Sequence, residues 1–300
     1  MKLKIKHFDA KVFEKKMEHL KDINFTLFMD DIPTKPEDSS EINILVLQEP
    51  DEYFGLHNWA IENSHYFSFI LTWDEKVLNN TDNSMFLPFG HTWFKPENYN
   101  KKYNKKLKIS HLAGKLNKTY GHGIRHEVLG REKEITKIPT KFHHTYGDRY
   151  DINNARQGKI DVFSDSMFAV AIENTSHKGY FTEKILDLFL LKTIPIYWGC
   201  SNIGKFFNTD GIIQVQNADD IISVSNTLDK DVWINSKEAI EDNWNRALNF
   251  VDYEQNIVDQ ITNIFEHNGS IKNYFLNLKN LIVMFFLKQA PIKVILFRML

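Results

Sequence analysis

The sequence predicts a layered α/β protein built as two domains, and three observations carry that prediction. A chain of 300 residues with 42% hydrophobic content can bury more than one core. Its first half holds short, branched apolar runs of strand length separated by mixed or helical segments. Its second half places a strand, a helix and a strand in immediate succession over residues 167–198, the pattern of a βαβ unit.

Taken in order, Ile42–Leu47 is a run of branched apolar residues that reads as a buried strand and ends at Gln48-Glu49-Pro50. Residues 67–72 and 108–113 read as further strands of the same half. A polar, basic stretch at 131–159, punctuated by Gly and Pro, has no sustained periodicity and reads as the domain linker. Beyond it, residues 167–172 read as a strand, 182–192 as a helix and 193–198 as a strand. Apolar residues at helical spacing over 237–266 predict the closing helices of the second half. The expected division is 1–145 for an acceptor-side domain, 146–270 for a donor-side domain and 271–300 for an apolar, basic tail.

With 25% charged residues and a net charge of −2, the chain offers no global positive field for nucleic acid phosphates. A single cysteine, Cys200, allows no internal disulfide, which fits a reducing, cytoplasmic setting. The opening MKLKIKHFDAKVFEKK alternates charged and apolar residues without the apolar core of an export leader. Residues 281–287 are the most apolar stretch and fall short of the roughly 20 residues of a spanning helix. The tail, interrupted by Pro291, has two readings: packing back onto the first domain, which is preferred, or peripheral contact with an inner membrane surface.

The strongest local signal is FAVAIENTSHKGYFTEK at residues 168–184, where polar residues crowd a strand end and a helix start. Open α/β sheets bind ligands there, and a helix opened by Thr182 as N-cap presents free amides to an anion such as a diphosphate. Lys184 in the first turn opposes the helix dipole, so a nearby external anion would compensate it. Glu183 could accept from ribose hydroxyls, Asn174 could pair with sugar or phosphate, and Tyr180 could supply a ring face and a hydroxyl. A capped core helix with solvated charges is the competing reading.

ENTSHKGYFTEK followed by TIPIYWG resembles the signature of the family 10 α-1,3/4-fucosyltransferases. The family pattern E-N-x(4)-G-Y-x-T-E-K is matched at Glu173, Asn174, Gly179, Tyr180, Thr182, Glu183 and Lys184. The resemblance implies a GT-B architecture, two Rossmann-like domains facing a cleft, with a GDP-sugar held mainly by the second. It implies that Asn174, Tyr180, Glu183 and Lys184 line the donor site, while Glu173 and Thr182 shape the loop. Arg125, in the segment ISHLAGKLNKTYGHGIRH, resembles the family's phosphate-binding arginine, whose guanidinium can hold two phosphate oxygens at once.

Inverting transfer to a sugar hydroxyl needs a general base near the acceptor. Glu49, at the end of the first apolar run, resembles the family's catalytic glutamate. The family's Gly-Glu-Asn context here reads Gln48-Glu49-Pro50, which leaves Asp51 and Glu52 as competing acids. The implied function is transfer of L-fucose from GDP-fucose to a carbohydrate hydroxyl, with no cofactor or metal required. Alternatives are another nucleotide-sugar donor, or a binding module without chemistry. Asp30-Asp31 reads as a solvated turn and not a metal site, and the adjacent His143 and His144 cannot face one ligand together. Tyr197, Trp198 and Cys200 read as core, whereas Trp59, Trp73 and Trp93 are open candidates for sugar stacking.

Overall fold

The computed structural model describes residues 1–5, 10–32, 42–145 and 155–266, so the readings for 271–300 lie outside the described residues. The first part of the chain runs β1 (Lys2–Ile5), α1 (Ala10–Lys16), β2 (Phe25–Met29), β3 (Ile42–Leu47), α2 (Asp51–Phe54) and α3 (Leu56–Glu62). It continues through β4 (Phe69–Thr72), α4 (Glu75–Asn80) and β5 (Ser84–Phe86). Then come α5 (Pro96–Tyr99), β6 (Lys106–Ala113), α6 (Tyr120–Gly130), β7 (Thr140–His144), α7 (Ala155–Phe163) and β8 (Ser166–Ile172). The remainder is α8 (Glu183–Leu190), β9 (Ile194–Trp198), β10 (Ile213–Gln214), α9 (Ala218–Ser225), α10 (Lys230–Asn235), α11 (Lys237–Ala247) and α12 (Tyr253–Glu266).

The strands form two parallel five-stranded sheets, ordered β1-β2-β3-β4-β5 and β10-β9-β8-β6-β7. Parallel strands with crossover helices are covered on both faces, which is why β2, β8 and β9 read as continuous apolar runs and are buried throughout. Edge strands look different. In β1, Lys2 and Lys4 are exposed around a half-buried Leu3, so the charged-apolar alternation of the N-terminus is the pattern of an edge strand.

The expected division at residue 145 is corrected by the sheets. β6 and β7 pair with one another and β6 with β8, so both belong to the second sheet, and the chain passes between sheets after β5. The stretch 131–159 looked like a linker because β7 is an edge strand with only Phe142 buried. The closing helices also divide. Whereas α11 packs on α8, α12 returns to the first domain, burying Tyr253, Ile257, Val258, Ile261 and Ile264 among Phe13, Met17, Phe25 and Ile44. Lys16 meets Asp252 at 2.7 Å and Phe25 meets Phe265 at 5.4 Å, fastening that return.

In the second sheet the chain runs outward in opposite directions from β6 and β8. Such a switch point leaves a crevice at the carboxyl ends of those two strands, where ligands bind in open α/β sheets.

Candidate active site

Two helices open at that crevice. α6 follows β6 and is capped by Thr119, while α8 follows β8 and is capped by Thr182, whose hydroxyl accepts from the Lys184 amide at 3.4 Å. Glu173 leaves the end of β8 fully buried and takes the Thr182 amide at 2.9 Å and hydroxyl at 2.7 Å. Burial pushes the Glu173 carboxyl up, with Lys184 opposing. Gly121 is required where α6 passes β8, because any Cβ there would overlap the Glu173 carbonyl.

Lys184 Nζ reaches Thr182 Oγ1 at 3.0 Å, Glu183 Oε1 at 3.1 Å and Glu173 Oε2 at 3.7 Å. Burial alone would raise the Glu183 carboxyl, but Lys184, Lys159 and His91 hold it well below the usual range. Lys159 lies 3.8 Å and His91 3.8 Å from Glu183, so its carboxylate is ringed by donors from three segments.

Arg125, buried on α6, directs Nε and Nη2 at the Ile172 carbonyl, at 2.9 and 2.6 Å, and Nη2 also at Asn174 Oδ1, at 2.8 Å. That edge ties α6 to the end of β8, and Nη1 is the edge outside these bonds. Tyr180 is fully buried as well, its ring packed against Trp73 at 4.7 Å and Phe89 at 6.3 Å within the first domain's core. Among the described residues its buried hydroxyl has no hydrogen-bond partner, and it lies within the fields of Glu173, Glu49 and Glu183. The loop between β8 and α8 thus plugs one domain into the other.

From the first domain, β3 delivers Glu49 into the same place. Burial pushes its carboxyl up to about 7, Asp30 adds to the rise, Lys184 opposes it, and Glu183 and Glu173 add further. One of its oxygens, Oε2, is buried with no hydrogen-bond partner among the described residues. The competing acids are engaged elsewhere: Glu52 meets His177 at 2.8 Å and Asp51 Oδ1 accepts the His57 amide at 2.8 Å.

Several residues at the site escaped the sequence reading. Asp30 is not in a solvated turn; it is 1% exposed and accepts the amides of Gln48 and Glu49. His57, also buried, sits between Asp74 at 2.7 Å and the Glu49 carbonyl at 3.1 Å. Tyr53 reaches across to His122 at 3.5 Å. The Thr119 amide donates to His122 Nδ1 at 3.2 Å, placing the ring proton on Nε2, and burial pulls that imidazole down to about 4. For Tyr53, His57 and His122 the available signal was nearness in sequence to Glu49 or Arg125, whereas Asp30 lies 19 residues from Glu49 and carried no such signal. Of the three open tryptophans, Trp73 is buried, Trp59 packs on Phe67 at 6.1 Å, and the exposed Trp93 carries Lys159 over its ring at 5.1 Å. Among the described residues, no group of three or more His, Cys, Asp or Glu is arranged around a metal position.

Residues 119–238 match the model described as glycosyltransferase family 10 (fucosyltransferase) C-term. An α-(1,3)-fucosyltransferase of Helicobacter pylori is 38% identical over 68 residues, covering 23% of this chain and 13% of the relative. A putative fucosyltransferase of Acanthamoeba polyphaga mimivirus is 25% identical over 213 residues, covering 65% of this chain and 31% of the relative. The matched segments thus span less than a third of these relatives' own lengths. A crystal structure of an α1,3-fucosyltransferase superposes with a TM-score of 0.55 at 16% identity, over 90% of this chain and 91% of that one. One with GDP-fucose superposes at 0.51, over 84% and 89%. Residues 119–238 are thus similar to the C-terminal part of glycosyltransferase family 10 (fucosyltransferase), in a chain whose two parallel-sheet domains have a GT-B-like fold.

Proposed function

We propose that the protein transfers L-fucose from GDP-fucose to a hydroxyl of a carbohydrate acceptor, with inversion. The supporting observation is that a first-domain carboxyl held at about 7, Glu49, shares an electrostatic site with Lys184, Glu183 and Glu173 of the second domain. A base with that value is half ionised near neutral pH and can take a proton. In the proposed step Glu49 removes the acceptor hydroxyl proton as that oxygen bonds to the anomeric carbon of fucose. The carbon–oxygen bond to the diphosphate breaks, and GDP departs.

Lys184 and the free edge of Arg125 face the charge that grows on the leaving diphosphate. Glu183 and Asn174 bind the donor's ribose and phosphate region, and the Tyr180 hydroxyl completes the wall. No metal or cofactor takes part in this scheme. An acceptor panel incubated with GDP-fucose and other nucleotide sugars tests it: GDP-fucose alone should be consumed with acceptor, and activity should survive a chelator. Consumption of a different donor replaces the substrate, and metal-reversible loss in chelator overturns the metal-free scheme. GDP binding without transfer to any acceptor favours a binding module.

A further inference from the structure

The backbone of Gln48 and Glu49 runs past the last sheet pairings of β3, Met29 with Val46 on one side and Leu47 with Thr72 on the other. Its four polar groups are nevertheless bonded, each to a side chain. Asp30 Oδ1 accepts the Gln48 amide at 2.8 Å, and Asp30 Oδ2 accepts the Glu49 amide at 3.3 Å. Trp73 Nε1 donates to the Gln48 carbonyl at 2.6 Å, and His57 Nε2 donates to the Glu49 carbonyl at 3.1 Å. The next residue, Pro50, has no amide hydrogen to place.

We propose that Asp30, Trp73 and His57 are positioning residues for Glu49, and that the Asp30 carboxylate also tunes it electrostatically. This rests on the reading of Glu49 as the base. Each member is itself fixed. Asp30 is held at φ 46, a left-handed conformation that few residues other than glycine adopt, and its amide donates to the Val46 carbonyl at 3.0 Å. His57 has two acceptors facing its two ring nitrogens, Asp74 Oδ2 and the Glu49 carbonyl, so both nitrogens donate and the ring is an imidazolium. Burial opposes that charge, while Asp74, Asp51 and the Glu49 carbonyl favour it, and the net effect is upward. Asp74 is anchored in turn as the N-cap of α4.

The arrangement fixes the backbone and leaves Glu49 Oε2 without a partner among the described residues, as a base awaiting an acceptor hydroxyl requires. The charges facing the Glu49 carboxyl are Asp30 from the end of β2, Glu173 from the end of β8, and Glu183 and Lys184 from α8, with Tyr53 of α2 nearby.

The test uses the full chain and reads turnover, donor KM, the pH profile and GDP affinity. His57→Ala should lower kcat on the order of 100-fold, the cost of a misplaced catalytic group, with donor KM and GDP affinity unchanged. His57→Gln, whose amide can still donate to the Glu49 carbonyl, should recover part of that loss. Asp30→Asn removes a neighbouring negative charge, so the acid limb of the rate should move to lower pH; a merely structural defect would lower the rate without moving the limb. If Asp30→Asn does not fold, the His57 pair decides. Folded His57 variants with wild-type kcat, alongside an inactive Glu49→Gln, overturn the inference and leave the base reading intact. A fully active Glu49→Gln overturns both.

Discussion

At the scale of single residues, the site is a balance of buried charges. Glu49 is raised to about 7 by burial and by Asp30, so the rate should fall as pH drops through that value and the carboxylate is protonated. Glu49→Gln should remove that acid limb and lower turnover by about 100- to 10,000-fold with GDP affinity nearly unchanged, measured by steady-state kinetics and titration calorimetry. The same raised value has a stability consequence. Between the ordinary carboxylate value of 4.5 and about 7 the unfolded chain releases the proton and the folded one keeps it, so the native state loses stability as pH rises through that window. Glu49→Gln should therefore gain melting temperature relative to the wild type at pH 8 and much less at pH 4.5. Lys184→Ala should weaken GDP binding and slow transfer, since it also strips Glu173 and Glu183 of their shared cation. Arg125→Ala should do the same and additionally destabilise the fold by about 1–3 kcal/mol, because the Ile172 carbonyl and Asn174 lose a buried donor.

At the scale of elements, the proposed donor site depends on two helix starts meeting one strand end. Gly121 permits the approach of α6 to the Glu173 and Asn174 backbone, and its amide donates to the Asn174 carbonyl at 3.2 Å. Gly121→Ala should push α6 away from β8, costing about 1–3 kcal/mol by overpacking and weakening GDP binding together with it. Thermal melts and GDP titration check the pair; a variant with normal stability and affinity would mean that α6 does not set the donor site. Gly179 plays the matching part in the other loop, at φ 77 and with the Trp73 carbonyl 3.0 Å from where a Cβ would stand. The helix α8 was legible because its cap, Thr182, and its apolar periodicity are local features. The membership of β6 in the second sheet was not legible, because a buried strand reads the same whichever sheet it joins.

At the scale of the whole molecule, three kinds of joint hold the domains in register. Tyr180 is embedded in the first domain's core, Glu52–His177 and Glu75–Lys178 pair across the cleft at 2.8 and 3.0 Å, and α12 returns from the second domain to cover α1. The exposed ion pairs contribute little individually, so the buried joints carry the coupling. Ile257→Ala or Ile261→Ala on α12 should each cost about 2–5 kcal/mol, as expected for large-to-small changes at fully buried positions. Denaturant unfolding should show the loss, and a cost below 1 kcal/mol would mean that α12 is not part of the first domain's core.

The sequence by itself determined the local chemistry: the apolar runs of β3, β8 and β9, the capped start of α8, and the cluster of Glu173, Asn174, Glu183 and Lys184 on one short segment. Those features follow from periodicity and capping, which act over a few residues. Only the tertiary structure decided that the Tyr180 ring is embedded in the first domain's core, that Arg125 ties α6 to β8, and that Asp30 and His57 bond the Gln48–Glu49 backbone. Asp30 lies 19 residues from Glu49, and Arg125 lies 47 from Ile172. Which polar group is buried, and against what, depends on contacts between segments distant in the chain, so no local pattern encodes it.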